Sequence, residues 1–291
     1  MIPLNPKLLL SVPLFGVLAA CAGTPQSSVP TPTFSAAAET EPATGLPSIE
    51  LSGGELPDDV ATRYMYDRQT RTLWNQLTGE PVLGELVEEQ LELELLPVVL
   101  TSWEDWLTQH PDTQVLGLET GYERFYLPGA AYGDYFSSTS TMFPVWQRGD
   151  QLETKDRIYA LRIEGTPKAY PLNDILIEGV VNDELAGTNV VLVSNRGPIT
   201  VRGENRRVGP VVYDAGGEVR AFDRGDELFS ATEDPDVVVD SQGREWQVTE
   251  EVLIGPDGET APRINGHLAY WFGWFAFFPN TLVYGSELGE G

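Results

Sequence analysis

Short apolar runs, separated by turn residues, occupy most of this chain beyond residue 58. Residues 158–163 and 168–172 read as two strands around Glu164-Gly165-Thr166-Pro167. Residues 211–213 and 219–222 read as another hairpin, around Ala215-Gly216-Gly217. Further strands are expected at 190–193, 199–202 and 246–248. Helical spacing is rarer. Thr101 or Ser102 is positioned to cap a short helix through Trp103, Trp106 and Leu107, stopped at His110-Pro111, and residues 270–278 form a second candidate ended by Pro279. The expected fold is mainly β (α+β), with short aromatic helices.

The first residues follow a different pattern. Lys7 precedes an apolar run over 8–20, which is short of the roughly 20 residues that span a bilayer and contains Pro13. It ends at Leu18-Ala19-Ala20-Cys21, which resembles a lipobox, so residues 1–20 are expected to be a signal peptide and Cys21 a lipidated N-terminus. Several acyl chains on Cys21 would hold the protein on a membrane of the cell envelope, an outer membrane or a periplasmic face in a diderm cell. Residues 21–55 are dominated by Thr, Pro, Ser, Ala and Glu without an apolar period, and read as a tether.

Charge narrows the partners. With 44 acidic against 18 basic residues the formal charge is −26, which disfavours nucleic acid and anionic surfaces. Cys21 is the only cysteine, so no internal disulfide can form and stability must come from a buried core.

Aligning the chain with itself shows a repeat. Tyr66-Asp67-Arg68 matches Phe222-Asp223-Arg224; Trp103, Trp106, His110-Pro111-Asp112-Thr113 and Gly117 match Trp271, Trp274, Phe278-Pro279-Asn280-Thr281 and Gly285 at identical spacing. The expected organisation is a partial first copy at 56–150 and a complete second copy at 151–291.

Tyr66-Asp67-Arg68, Leu73-Trp74-Asn75-Gln76-Leu77-Thr78-Gly79-Glu80, the Trp-x-x-Trp segment with His110-Pro111-Asp112-Thr113, and Lys168-Ala169-Tyr170-Pro171-Leu172 with Val181-Asn182-Asp183 together resemble the DUF3179 family. These are bacterial and archaeal proteins of unknown function built from two related halves. The resemblance implies a Cys-Pro-Leu-Cys segment ahead of the Tyr-Asp-Arg motif, and this chain lacks it. Where the second copy would echo that segment stands Ser194-Asn195-Arg196-Gly197-Pro198.

Candidate chemistry is sparse. His110 and His267 are the only imidazoles, too few for a zinc or copper site, and no nucleophile elbow or phosphate-binding loop occurs. Glu233, Asp234, Asp236 and Asp240 offer oxygen ligands of the kind calcium takes, without the spacing of a calcium loop. No cofactor is expected.

The duplication singles out Asp67, Arg68, Asp223 and Arg224 as ligand-binding candidates, against the alternative of turn closure. Trp103 and Trp271 are candidates for a stacking surface, against core packing. The expected role is non-enzymatic binding or scaffolding outside the cytoplasm. A carboxylate-based hydrolase and a cysteine-less remnant of a redox or metal-handling protein are the alternatives. A half-copy with unpaired edges also predicts a partner chain or self-association.

Overall fold

The computed structural model describes residues 64–89, 91–142, 145 and 148–286. The expected signal peptide, Cys21 and the expected tether lie outside the described residues, as does the start of the expected first copy. Contacts divide the chain into residues 1–49 and 50–291, and every described residue belongs to the second unit.

The first strands form an antiparallel meander: β1 (Met65–Asp67), β2 (Thr72–Trp74) and β3 (Pro81–Leu83). An extended segment then leads to helix α1 (Trp103–Gln109). Of the two capping candidates, Thr101 and Ser102, it is Ser102 that caps it, its Oγ accepting the Asp105 amide at 3.0 Å. A single-turn helix, α2 (Gly133–Phe136), precedes the larger sheets.

β4 (Arg157–Ile163) and β5 (Thr166–Pro171) form the expected hairpin and sit at the centre of a four-stranded sheet. Its edges are β16 (Gly266–Tyr270), antiparallel to β4, and β17 (Leu282–Val283), parallel to β5. Helix α3 (Leu172–Glu178) follows β5 and stops at Gly179, whose φ of +74° suits a residue without Cβ.

The eight-stranded sheet is the largest element. It comprises β6 (Val180–Leu185), β7 (Thr188–Val193), β10 (Arg220–Asp223), β11 (Phe229–Ala231), β12 (Val237–Asp240), β13 (Glu245–Val248), β14 (Val252–Ile254) and β15 (Thr260–Ile264). Their order is β11-β12-β13-β14-β15-β10-β7-β6, and the sheet curls until its ends nearly meet.

Side-chain alternation along β7 explains why residues 190–193 are apolar without a break. Val191 and Val193 face a core inside the curl with Phe222, Phe229, Val238, Trp246, Leu253 and Ala261. Val190 and Leu192 face a second core with Tyr159, Leu161, Tyr170 and Ile175. A strand buried on both faces has no solvent side on which to place polar residues. β4 shows the same parity, with Ile158 and Ala160 turned to a third core containing Trp271, Trp274 and Val283.

One predicted hairpin is corrected. β9 (Gly209–Gly216) pairs with β8 (Ile199–Asn205), whereas β10 pairs with β7 and β15. Val219 and Ala221 enter one core and Phe222 another, so β10 is a central strand needing neighbours on both edges. Gly216, at φ +147°, breaks the chain between β9 and β10 where the sequence suggested a turn. The second predicted helix is also shorter: α4 spans Trp271–Phe275, and Tyr270 closes β16. Among the described residues no helix is long and apolar enough to cross a membrane.

Candidate functional site

The loop at residues 194–198 opens onto one end of the curled sheet. It leaves β7 at Ser194, whose hydroxyl donates to the Glu218 carbonyl at 2.7 Å and whose amide donates to the Gly179 carbonyl at 2.6 Å. With its backbone fixed, the loop places Arg196 at the centre of three carboxylates. The Arg196 guanidinium donates to Asp236 at 2.7 Å, to Asp105 at 3.0 Å and to Glu218 at 3.2 Å.

The cluster continues inward. Glu218, two residues ahead of the start of β10, pairs directly with Arg220, and Arg220 pairs in turn with Glu250. Arg263 lies over the Phe222 ring at 5.5 Å. Burial works against the charge on Arg196, yet Asp236 and Glu218 hold its pKa above the ordinary value. Arg220 behaves likewise through Glu250 and Glu218, while burial pushes Arg263 down.

Asp105, Arg196 and Glu218 line a cavity of about 320 Å³ with Ser102, Pro198 and Thr200. Glu218 is 4% exposed, and its Oε2 has no hydrogen-bond partner although Oε1 holds two arginines. A buried acceptor without a partner is costly, so this oxygen favours any donor that the cavity admits.

A second ionic cluster joins the motifs at 168–172 and 181–183. Lys168, 5% exposed, approaches Asp183 at 2.8 Å, and the Tyr170 hydroxyl donates to the same carboxylate at 2.7 Å. Burial would raise the Asp183 pKa, but Lys168 and Tyr170 outweigh it and the net shift is downward. The cluster ties β5 to β6 and so fastens the two larger sheets together.

The residues singled out by the repeat are not brought into one site. Asp67 accepts the Gln69 amide at 2.9 Å and the Thr70 hydroxyl at 2.5 Å, and these bonds, led by Thr70, lower its pKa. Asp223 accepts the Gly225 amide at 3.0 Å. Arg68 is exposed, while Arg224 donates to the carbonyls of Glu227 and Val190 at 2.8 and 3.2 Å. Trp103 is 53% exposed; Trp271 is buried, its indole donating to the Gly149 carbonyl at 3.1 Å. None of the six lines a described cavity.

Local geometry does recur at the matched tryptophans. Trp106 Nε1 donates to Thr113 Oγ1 and Trp274 Nε1 to Thr281 Oγ1, each at 2.9 Å. His110 packs at a tilt against Trp106 with ring centroids 4.1 Å apart, and Phe278 against Trp274 at 4.5 Å. His267 is turned toward the Leu77 backbone, and burial lowers its pKa.

Asp67 also has a counterpart in Asp240, which ends β12 as Asp67 ends β1. Each accepts the amide two residues on, from Gln69 and Gln242 at 2.9 Å, and each meander carries a buried tryptophan on its middle strand, Trp74 and Trp246. The signal in the sequence was Asp-x-Gln followed by Trp seven or six residues after the acid.

Asp240 is fully engaged by Arg244 and the Trp246 indole, and Asp236 by Arg196. Asp236 and Asp240 therefore serve as ion-pair partners, and Asp234 closes a turn by accepting the Asp236 amide at 3.0 Å. Among the described residues no three His, Cys, Asp or Glu side chains are grouped to hold a metal.

Comparison with known proteins bears on the chain as a whole. Neither a curated protein nor a solved structure matches it. A family model described as "protein of unknown function (DUF3179)" matches residues 59–281, which covers nearly all of the described unit, and the chain belongs to that family.

Proposed function

We propose that this protein is an envelope lipoprotein, held on a membrane by lipid on Cys21, whose β domain binds a ligand without transforming it. The observation that carries the binding reading is the cavity at the end of the eight-stranded sheet. Its carboxylates are locked by Arg196, and the buried Glu218 among them keeps an Oε2 with no hydrogen-bond partner among the described residues. The ligand class is a small molecule presenting an ammonium or hydroxyl donor.

Binding is favoured over hydrolysis because the two carboxylates of the cavity, Asp105 and Glu218, are both paired with Arg196. The loop at 194–198 supplies an ion-pair hub where a redox or metal-handling protein would need thiols.

A partner chain or a second copy is part of the same reading. Leu96, Val98, Val115, Leu116 and Leu118 are 68–86% exposed in segments without regular structure. The net charge of −26 argues against nucleic acid as that partner.

The test uses the full chain purified in detergent. Intact mass should show acylation that Cys21→Ser abolishes. Thermal unfolding with a panel of amines, amino sugars, polyols and divalent ions should show a ligand-dependent rise, since a ligand at 100 times its Kd adds about 2.7 kcal/mol. Glu218→Gln should remove that rise. Unmodified Cys21 would refute the anchor, and turnover of a panel member would refute the non-enzymatic reading.

A further inference from the structure

A different cavity, the largest of those described, lies beyond the β8–β9 hairpin and encloses about 710 Å³. That is within the range of roughly 300–1,000 Å³ typical of ligand sites. Three of the chain's 15 arginines, Arg124, Arg206 and Arg207, line it. Among the described residues the only acid on its wall is Asp134, which Arg207 approaches at 3.2 Å; Arg124 and Arg206 lie over the Tyr122 and Phe125 rings at 5.8 and 5.0 Å and meet no carboxylate on this wall. In a chain of net charge −26, a cationic cavity runs against the surrounding field.

The wall is built rather than incidental. Asn205, 6% exposed, donates to the carbonyls of Gly129 and Ala130 at 3.3 and 3.2 Å and thereby fixes the hairpin tip against the segment carrying Asp134. Lys155 clasps the far side, donating to the Tyr135 and Ser138 carbonyls at 2.5 Å. Between these anchors Tyr132, which lines the cavity and is 60% exposed, adopts φ +60°. A bulky residue in the left-handed region is strained, and such strain collects at ligand-binding positions.

We propose that this cavity binds a short oligosaccharide bearing carboxylates. Arg124 and Arg206 grip the carboxylates, and the Tyr132 ring stacks on the apolar face of a sugar. Arginine suits carboxylates through paired N–H donors, and an exposed aromatic ring suits the C–H face of a saccharide. A long polyanion would meet the acidic surface beyond the cavity; a short acidic chain would not. The Arg196–Glu218 cavity shares no lining residue with this one.

Calorimetry on the full chain in detergent tests it, with trigalacturonate as the probe, maltotriose as its neutral counterpart and inorganic phosphate as a bare anion. Trigalacturonate should bind, maltotriose should not, and phosphate should fail to compete at equal concentration. Arg206→Gln and Arg124→Gln should each weaken binding about tenfold, as expected for one charge-assisted hydrogen-bonding partner.

Tyr132→Gly separates a site from a structural feature. It should leave the unfolding midpoint unchanged or higher, because glycine relieves the strain at φ +60°, while weakening trigalacturonate binding. No binding of trigalacturonate at millimolar concentration would overturn the proposal. So would equal binding of phosphate, or an affinity that Tyr132→Gly leaves intact.

Discussion

Asn182 closes the eight-stranded sheet onto Phe229. Its side-chain amide donates to the Phe229 carbonyl at 2.8 Å and accepts the Phe229 amide at 2.9 Å, so one side chain imitates the two hydrogen bonds of a strand pair between β6 and β11. Without that clasp, β11 would have β12 on one side and a free edge on the other. Phe229 itself packs edge-on against Trp246 at 5.2 Å inside the curl.

Asn182→Leu should therefore open the seam. Loss of two hydrogen bonds, with the Phe229 amide and carbonyl left unpaired, is expected to cost about 2–4 kcal/mol. Denaturant unfolding would show this as a lower midpoint. Asn182→Asp, which keeps the acceptor, should fall between the two. A midpoint unchanged in Asn182→Leu would mean that the apolar core alone closes the sheet.

The Arg196 hub makes an asymmetric prediction. Removing the guanidinium in Arg196→Ala strands Asp105, Glu218 and Asp236 around a partly buried site, and should cost about 3–5 kcal/mol. Asp105→Asn removes only a half-exposed partner and should cost under about 1 kcal/mol. Equal losses in both variants would contradict the hub.

Acid should weaken the protein through Asp240. Burial raises its pKa, but the amides of Arg244 and Gln242 and the Trp246 indole more than offset that, and the pKa is lowered to about 2 from the ordinary 3.8. A folded-state pKa below the unfolded value means stability is present above about pH 4 and is lost as pH falls toward 2. Asp240→Asn should be less stable than the parent at neutral pH and should lose less between pH 4 and pH 2. Parallel acid curves for the two proteins would count against this role.

The two tryptophan–threonine pairs should differ in weight despite equal length. Trp274 and Thr281 are both buried, so Thr281→Val leaves the Trp274 indole without a partner and without water, at a cost of about 1–3 kcal/mol. The Trp106–Thr113 pair is only partly buried, and water can replace the hydroxyl in Thr113→Val, which should cost under about 1 kcal/mol. A larger effect at Thr113 than at Thr281 would refute this account.

The sequence alone determined the mainly β class, the β4–β5 hairpin, a cap at Thr101 or Ser102 and the Trp-x-x-Trp helices, because each rests on local periodicity or on turn and cap chemistry acting within a few residues. It also carried the family membership. Tertiary structure decided which strands meet. Residues 211–213 and 219–222 look like neighbours across a glycine turn, yet β10 must bury both faces and so pairs with β7 and β15.

The sites follow the same division. Asp67 and Asp223 stood out by repetition, but their oxygens are spent on amides two or three residues away, which is local turn closure. Arg196 gathers Asp105, Glu218 and Asp236 from positions 91, 22 and 40 residues distant. No pattern along the chain marks such a meeting, because ion pairing depends on separation in space, and only the curled sheet sets that separation.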